Sequence, residues 1–335
     1  MSTQREAILR GTSAAAMAHD SLRLREQMEP MGLPIDVFGI IDDLGLPLLF
    51  RPIDPLLGAC VRVSEGRVGI MITTERDLHL QRFTAAHELG HFLLEHQGSL
   101  DHEVGVSTRM RGRDPQEIEA DAFASEFLMP SWLCRSIAAR RNWTTDDLRD
   151  PHVLYQMSLR MAVSYEAACW GLAAQNVFSY NEASKLADEA PKKLKTTALE
   201  GAKLEDPWAD VWLLDEHDDG AILSAGPTDV LVVSLVERAG SGYLWDTSGL
   251  AKAGFQILND QRDSLGSNHI GGPTRRKLIL ATPSSGIHRV SLAERRPWAG
   301  SAPPLKTFSL VVSSGGREHE GLFNRPSAST SAFAH

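Results

Sequence analysis

The stretch DEAPKKLKTTALEGAKLEDP, residues 188–207, divides the chain into halves of different texture. It is charged, poor in large apolar side chains and closed by a proline, which is the composition of a linker. Ahead of it, apolar residues recur mostly at helical spacing. Behind it come short apolar runs broken by Gly, Ser and Pro, the texture of strands and turns. At 335 residues the chain is long enough for two or three domains with separate cores. The expected partition is a domain at 1–145, a helical extension at 146–190, a linker at 191–207, an all-β domain at 208–315 and a disordered tail at 316–335.

The first half is not uniformly helical. From Pro47 to Thr74 the runs PLLFRPI, GACVRV and RVGIMITT read as strands, with SEGR between the last two as a hairpin turn. Helical texture resumes at Arg82. In the second half VLVVSLVE, FQILND, RKLILATP, IHRVSLAERRPW and KTFSLVVSS read as strands of a sandwich.

Charge and cysteine content narrow the function classes. Residues 1–190 hold 18 Lys and Arg against 27 Asp and Glu, so the whole net charge of -9 lies there. That excess disfavours nonspecific attraction to nucleic acid or to an anionic membrane. No run approaches the ~20 apolar residues of a membrane span, and the first 20 residues lack the apolar core of a secretory signal. Cys60, Cys134 and Cys169 are odd in number and widely spaced. They read as reduced thiols of a cytoplasmic protein. Cys60 is also considered as a thiolate that could close a metal site, against the plainer reading of a buried cysteine.

The run RFTAAHELGHFLLEH, residues 82–96, carries His87 and His91 four residues apart, with Glu88 between them. On a helix, positions i and i+4 share one face, so both imidazoles can reach one ion. Glu88 lies one step round, placed to act on a water at the metal. The alternative is a surface helix with two ordinary histidines. Against it stand the apolar neighbours Phe83, Leu89, Phe92 and Leu93, and Gly90 inside the helix at about 1 kcal/mol relative to Ala. A close backbone approach would explain that glycine.

A second helix, PQEIEADAFASEFLMP, follows and should end before Pro130. The face that holds Glu119 also holds Ala122 and Phe123, so Glu119 is expected to point inward. A buried carboxylate needs a cation or several donors, and zinc shared with the two histidines would supply the first; the alternative is a partly exposed helix with Glu119 solvated or salt-bridged.

These two segments resemble the ImmA/IrrE-type zinc metallopeptidases, whose signature is an R-F-T-x-A-H-E-L-G-H helix followed by E-A-(N/D)-x-F-A-x-x-L-L-M-P. The resemblance covers about residues 15–180 and implies an α+β, gluzincin-like domain. It implies that His87, His91 and Glu119 ligate Zn2+, that Glu88 activates water, and that Asp121 backs a ligand. It also implies an intracellular endopeptidase that cleaves a helix-turn-helix repressor, encoded nearby, in a stress or phage response. The strand at Val68–Thr73 is the expected edge for an extended substrate. His96, His102, Arg82 and Tyr155 are the candidates for stabilising the oxyanion; His96, five residues past His91, is expected to turn away from the ligand face.

Residues 153–178, VLYQMSLRMAVSYEAACWGLAAQNVF, read as helix, turn at Val163–Ser164, helix, and are similar to the helix-turn-helix-like region of that family. The second helix has no Lys or Arg and only Gln175 and Asn176 as base-reading types, which argues for a packing role and against direct DNA binding.

In the second half AGSGYLW (239–245), IGGPT (270–274) and RRPW (295–298) occur in the order of the three inhibitory loops of chagasin-like cysteine-protease inhibitors. The resemblance implies an immunoglobulin-like sandwich whose binding loops carry Gly242, Tyr243, Gly271, Gly272, Arg296, Pro297 and Trp298. The Asn-Pro-Thr part of the first loop is replaced by Ala239-Gly240-Ser241, and the first glycine of the second by His269. The alternative is a sandwich in which Trp245 and Trp298 are simply core. The leading expectation is therefore a zinc endopeptidase with a recognition module that offers its loops to a protein partner. Its rival is a binding protein that acts on a papain-like protease through those loops, with a regulatory or silent metal site.

Overall fold

The computed structural model describes residues 2–30, 32–53, 55–62, 68–96, 100–101, 114–200, 204–265, 272–300 and 302–315. The chain divides into two compact units with the main break after Glu189. The expected tail at 316–335, the SEGR turn and His102 lie outside the described residues.

The first unit opens with α1 (Ser2–Ser21), α2 (Leu24–Met28) and α3 (Val37–Asp43), then β1 (Leu48–Arg51), β2 (Gly58–Arg62) and β3 (Val68–Thr73). There follow α4 (Leu78–Leu93), β4 (Leu100–Asp101), α5 (Pro115–Leu128), α6 (Ser131–Arg141), α7 (Pro151–Met161), α8 (Tyr165–Ala174) and α9 (Tyr180–Ala187). Both helices expected to carry the chemistry start on aspartate caps: Asp77 accepts from the Leu80 amide, and Asp114, just before Pro115, from the Gln116 amide. The sheet runs β1-β3-β2-β4. β3 pairs in parallel with β1 and antiparallel with β2, so it lies inside the sheet. The expectation that Val68–Thr73 is a free edge is thereby corrected, because both rows of its backbone hydrogen-bonding groups are already in ladders.

α4 lies between the sheet and α5, and from Gln81 to His91 all but Phe83 are buried. Gly90 meets the ring of Phe123 on α5, where an added Cβ would lie 3.0 Å from the ring edge. The close neighbour is therefore an aromatic side chain and not a second backbone. α7 and α8 form the expected helix–turn–helix, with Ala162 left-handed at the turn and Ser164 capping α8. Ala168, Cys169, Leu172 and Ala173 of α8 are buried, Gly171 abuts Met129, and the Gln175 amide donates to the Met129 carbonyl. One of the two base-reading side chains thus serves packing inside the unit.

The second unit begins with α10 (Pro191–Ala198), within the segment expected as a linker. Leu194 and Leu199 are buried, and Leu199 joins Val211, Val230, Val232 and Ile279 in one apolar cluster. Lys195 pairs with Asp210 at 3.0 Å. Leu194, Leu199 and Lys195 thus fasten a segment whose composition suggested no such hold.

The β elements are β5 (Val211–Leu214), β6 (Ile222–Ala225), β7 (Val230–Glu237), β8 (Leu244–Asp246), β9 (Gln256–Ser264), β10 (Thr274–Ala281), β11 (Gly286–Arg295) and β12 (Lys306–Ser314). They form two four-stranded sheets, β5-β7-β10-β9 and β6-β12-β11-β8. β5 and β6 join their sheets in parallel, whereas the other pairs are antiparallel. Period-two burial along β11 and β12 puts Val290, Leu292, Phe308, Leu310 and Val312 inside. β5, β6 and β8 are three or four residues long, too short to register as separate alternating runs in the sequence.

Candidate functional site

On α4, His87 and His91 are 0% and 1% exposed, and their Nε2 atoms face each other at 2.9 Å. The carboxylate that meets them comes from α5 and belongs to Glu117, with Oε2 3.3 Å from His87 Nε2 and Oε1 3.5 Å from His91 Nε2. Glu119, expected as the third ligand, lies elsewhere. It is buried, but its Oε1 accepts from Arg10 Nη1 at 3.0 Å and its Oε2 sits 3.0 Å from His96 Nε2. The correction has a helical cause. Residues two apart on a helix point about 200° apart, so Glu117 and Glu119 cannot face the same neighbour. Asp121, four residues after Glu117, shares its face, and its Oδ1 is 2.9 Å from His87 Nδ1. Asp121 is thus in hydrogen-bond contact with His87, on the same helix face as Glu117.

His87, His91 and Glu117 bring one donor atom each to within 4.8 Å of one another. This arrangement fits a zinc ion on two counts. Tetrahedral zinc with bonds of about 2.0–2.2 Å holds its donors roughly 3.3–3.5 Å apart, the spacing of the Glu117 oxygens from the two histidines. In addition, Nδ1 of each histidine already has a partner, Asp121 for His87 and His96 for His91. With the ring protons on Nδ1, both Nε2 lone pairs point into one buried space beside a carboxylate, an arrangement that repels itself without a cation.

Glu88 is 0% exposed. Its carboxylate lies against β2 at Gly58, where an added Cβ would sit 2.7 Å from Glu88 Oε1 and would run into Thr84. Glycine at position 58 therefore makes room for this carboxylate. Of the candidates for oxyanion stabilisation, Arg82 donates to the carbonyls of Ile35 and Ala162, His96 lies against His91, and Tyr155 is buried. Cys60 is buried on β2. Burial pushes the Cys134 and Cys169 thiols up to about 12, which leaves both protonated and unreactive at neutral pH.

In the second unit the first and third of the expected loops meet. Gly242 has φ +78°, and an added Cβ there would strike the indole of Trp298. The Arg296 guanidinium lies 4.6 Å from the centroid of the Tyr243 ring, and its Nε donates to the Ser241 carbonyl at 3.2 Å. Trp298 is 72% exposed while Trp245 is buried. The two tryptophans therefore play opposite parts, and Trp298 is not core. Gly272, in the second loop, is half-buried, and Gly271 lies outside the described residues. Two carboxylates brace the Gly242 loop from below: Glu294 accepts from the Arg238 amide at 2.7 Å, and Glu237 from the Trp245 amide at 2.8 Å. Among the described residues, no helix is long and apolar enough to cross a membrane.

Comparison with known proteins agrees with this division. The family model of the IrrE N-terminal-like domain, peptidase family M78, matches residues 41–172. The model of the chagasin family of peptidase inhibitors, I42, matches residues 225–312. Amoebiasin-2 of Entamoeba histolytica is 26% identical over 109 residues, which span 31% of this chain and 88% of that protein. Among solved structures, a cysteine protease inhibitor from Entamoeba histolytica is 22% identical, with a TM-score of 0.29 over 33% of this chain and 100% of its own. The solution structure of amebosin is 18% identical, with a TM-score of 0.25 over 32% of this chain and 98% of its own. The chain thus joins a segment that matches the IrrE N-terminal-like domain of peptidase family M78 to one that matches the chagasin family of peptidase inhibitors.

Proposed function

We propose that the first unit is a zinc-dependent endopeptidase, and that its substrate is a helix-turn-helix transcriptional repressor. The observation that carries the catalytic reading is the meeting of His87, His91 and Glu117 around one point, with Glu88 buried on the helix that carries both histidines. His87, His91 and Glu117 would hold the zinc. Bound there, zinc supplies Lewis acidity, polarising a scissile carbonyl and acidifying water. Glu88 takes a proton from the attacking water and delivers it to the leaving amine. Asp121 fixes the His87 ring through Nδ1, which turns the Nε2 lone pair toward the metal. The repressor substrate is supported by the IrrE-type domain match, and the cytoplasmic setting by three buried free cysteines.

The test is metal content followed by cleavage. The purified chain should hold about one zinc, and Glu88→Gln should keep the metal while losing cleavage of a helix-turn-helix repressor encoded nearby. Equal cleavage by both forms would remove Glu88 from the reaction.

A second reading has its own observation: the exposed Trp298 packed over Gly242, next to the Arg296–Tyr243 stack. An exposed indole braced from beneath suits insertion into a partner's groove. In this reading the second unit binds a papain-like protease, or recognises the peptidase's own substrate. Papain inhibition by wild type, lost in Trp298→Ala, distinguishes the first from the second.

A further inference from the structure

His96 does not behave as a helical residue. α4 ends at Leu93, Glu95 takes a left-handed conformation at φ +57°, and the His96 amide bonds back to the His91 carbonyl at 3.0 Å. This closing turn folds the His96 ring onto His91, with ring centroids 4.9 Å apart. Extrapolating the helix by five residues turned His96 away from the site, whereas the turn brings it there. His96 Nδ1 is 2.9 Å from His91 Nδ1, and its Nε2 is 3.0 Å from Glu119 Oε2. Glu119 Oε1 in turn accepts from Arg10 Nη1 on α1 at 3.0 Å. α1 reaches that point because Gly11 has no side chain: a Cβ there would run into the Glu119 carbonyl.

The protons along this path fall into one consistent order. If His91 offers its Nε2 lone pair to a metal, its Nδ1 carries the proton and donates to His96 Nδ1. His96 must then carry its own proton on Nε2, where it donates to Glu119. Glu119 accepts from both ends, from His96 and from Arg10. Every link has one donor and one acceptor, so the path selects one tautomer of each ring.

We propose that Arg10, Glu119 and His96 are positioning residues that fix the tautomer and orientation of His91, so that α1, which precedes the matched M78 segment, helps set the metal affinity of the site. This rests on the zinc reading above and assigns to Glu119 a task other than ligation. Hydrogen-bond partners of metal-bound histidines are worth about 10- to 100-fold in affinity.

The experiment is a zinc titration of the metal-free full chain against a chromophoric chelator, with the melting temperature of each metal-free variant recorded in parallel. His96→Phe should weaken zinc binding about 10- to 100-fold. His96→Asn, which keeps an acceptor near the Nδ1 position, should recover most of that loss, and Arg10→Ala should cause a smaller loss. Wild-type affinity in His96→Phe, or no recovery in the Asn variant, would overturn the proposal while leaving the zinc site standing. A wild-type chain that binds no zinc would instead overturn the metal site itself. Imidazole 15N spectra of the zinc-loaded wild type provide a reading that needs no variant. His91 should show a proton on Nδ1 and His96 one on Nε2, and the opposite tautomer in either ring would sink the idea.

Discussion

His87, Glu88 and His91 are at most 1% exposed in the first unit, whereas Trp298 in the second is 72% exposed. The contrast separates two kinds of function by the physics of burial. A polar side chain without water must be repaid by a partner inside the fold, and the first unit places carboxylates and imidazoles where they answer one another or an ion. An exposed indole has the reverse need: it gains only when something covers it. Chemistry is expected where polar groups converge out of water, and recognition where an aromatic is held out into it. Both sites are braced from behind by buried carboxylates, Asp121 behind His87 and Glu237 and Glu294 behind the Gly242 loop.

The largest expected effect lies at the closed site. Glu88→Gln should lower turnover about 10²–10⁴-fold, the usual worth of a positioned general base, with zinc content unchanged. Stopped assays on metal-loaded protein measure this directly. A drop in bound zinc of the same size would mean that Glu88 is a ligand and not a base.

Next come Glu117 and Glu119, which the zinc titration separates. Glu117→Ala should lose more zinc affinity than Glu119→Ala, and the latter should fall within the roughly 10- to 100-fold of an outer partner. The reverse order would restore the reading taken from sequence alone. Inward direction does not single out one carboxylate on α5. Ile118, Glu119, Ala120 and Asp121 are all buried, so α5 is covered on more than one face. Glu119 turns toward Arg10 of α1, and Glu117 toward α4. The discriminating signal was present in the spacing: a carboxylate set behind His87 at 121 puts its ligating neighbour one turn earlier, at 117.

The pair His87 and His91 was legible because both sit on one uninterrupted helix, where four residues fix the face. His96 was not, because a left-handed residue at position 95 ends the helical arithmetic. The strand runs of the second half were legible where they exceed seven residues, as in β7, β10 and β12. The place of β3 inside its sheet was not, because its parallel pairing with β1 is a non-local contact that no local pattern announces. The segment at 191–207 misled through its charge: Lys195 pairs with Asp210, while Leu199 joins the apolar cluster beside it in sequence.

Smaller effects follow from the two layers of the second unit. Leu310 on β12 is 1% exposed, and Leu310→Ala should cost about 2–5 kcal/mol, read as a lower denaturation midpoint. A loss below about 0.5 kcal/mol would show that the facing layers are not packed there.

Trp298→Ala is the smallest of these in stability and the most informative about recognition. The ring is mostly in water, so its removal should shift unfolding by no more than about 0.5 kcal/mol. Gly242 would lose the indole that fills the space beside it, but the Gly242 loop keeps its hold on Glu237 and Glu294 through the Arg238 and Trp245 amides. Binding should therefore fall while the loop stays in place, and the whole change should lie in the dissociation rate. An unfolding shift of several kcal/mol would make Trp298 part of the support of the loop and not of its contact surface, and the contrast between the enclosed site and the offered one would then fail at its outer end.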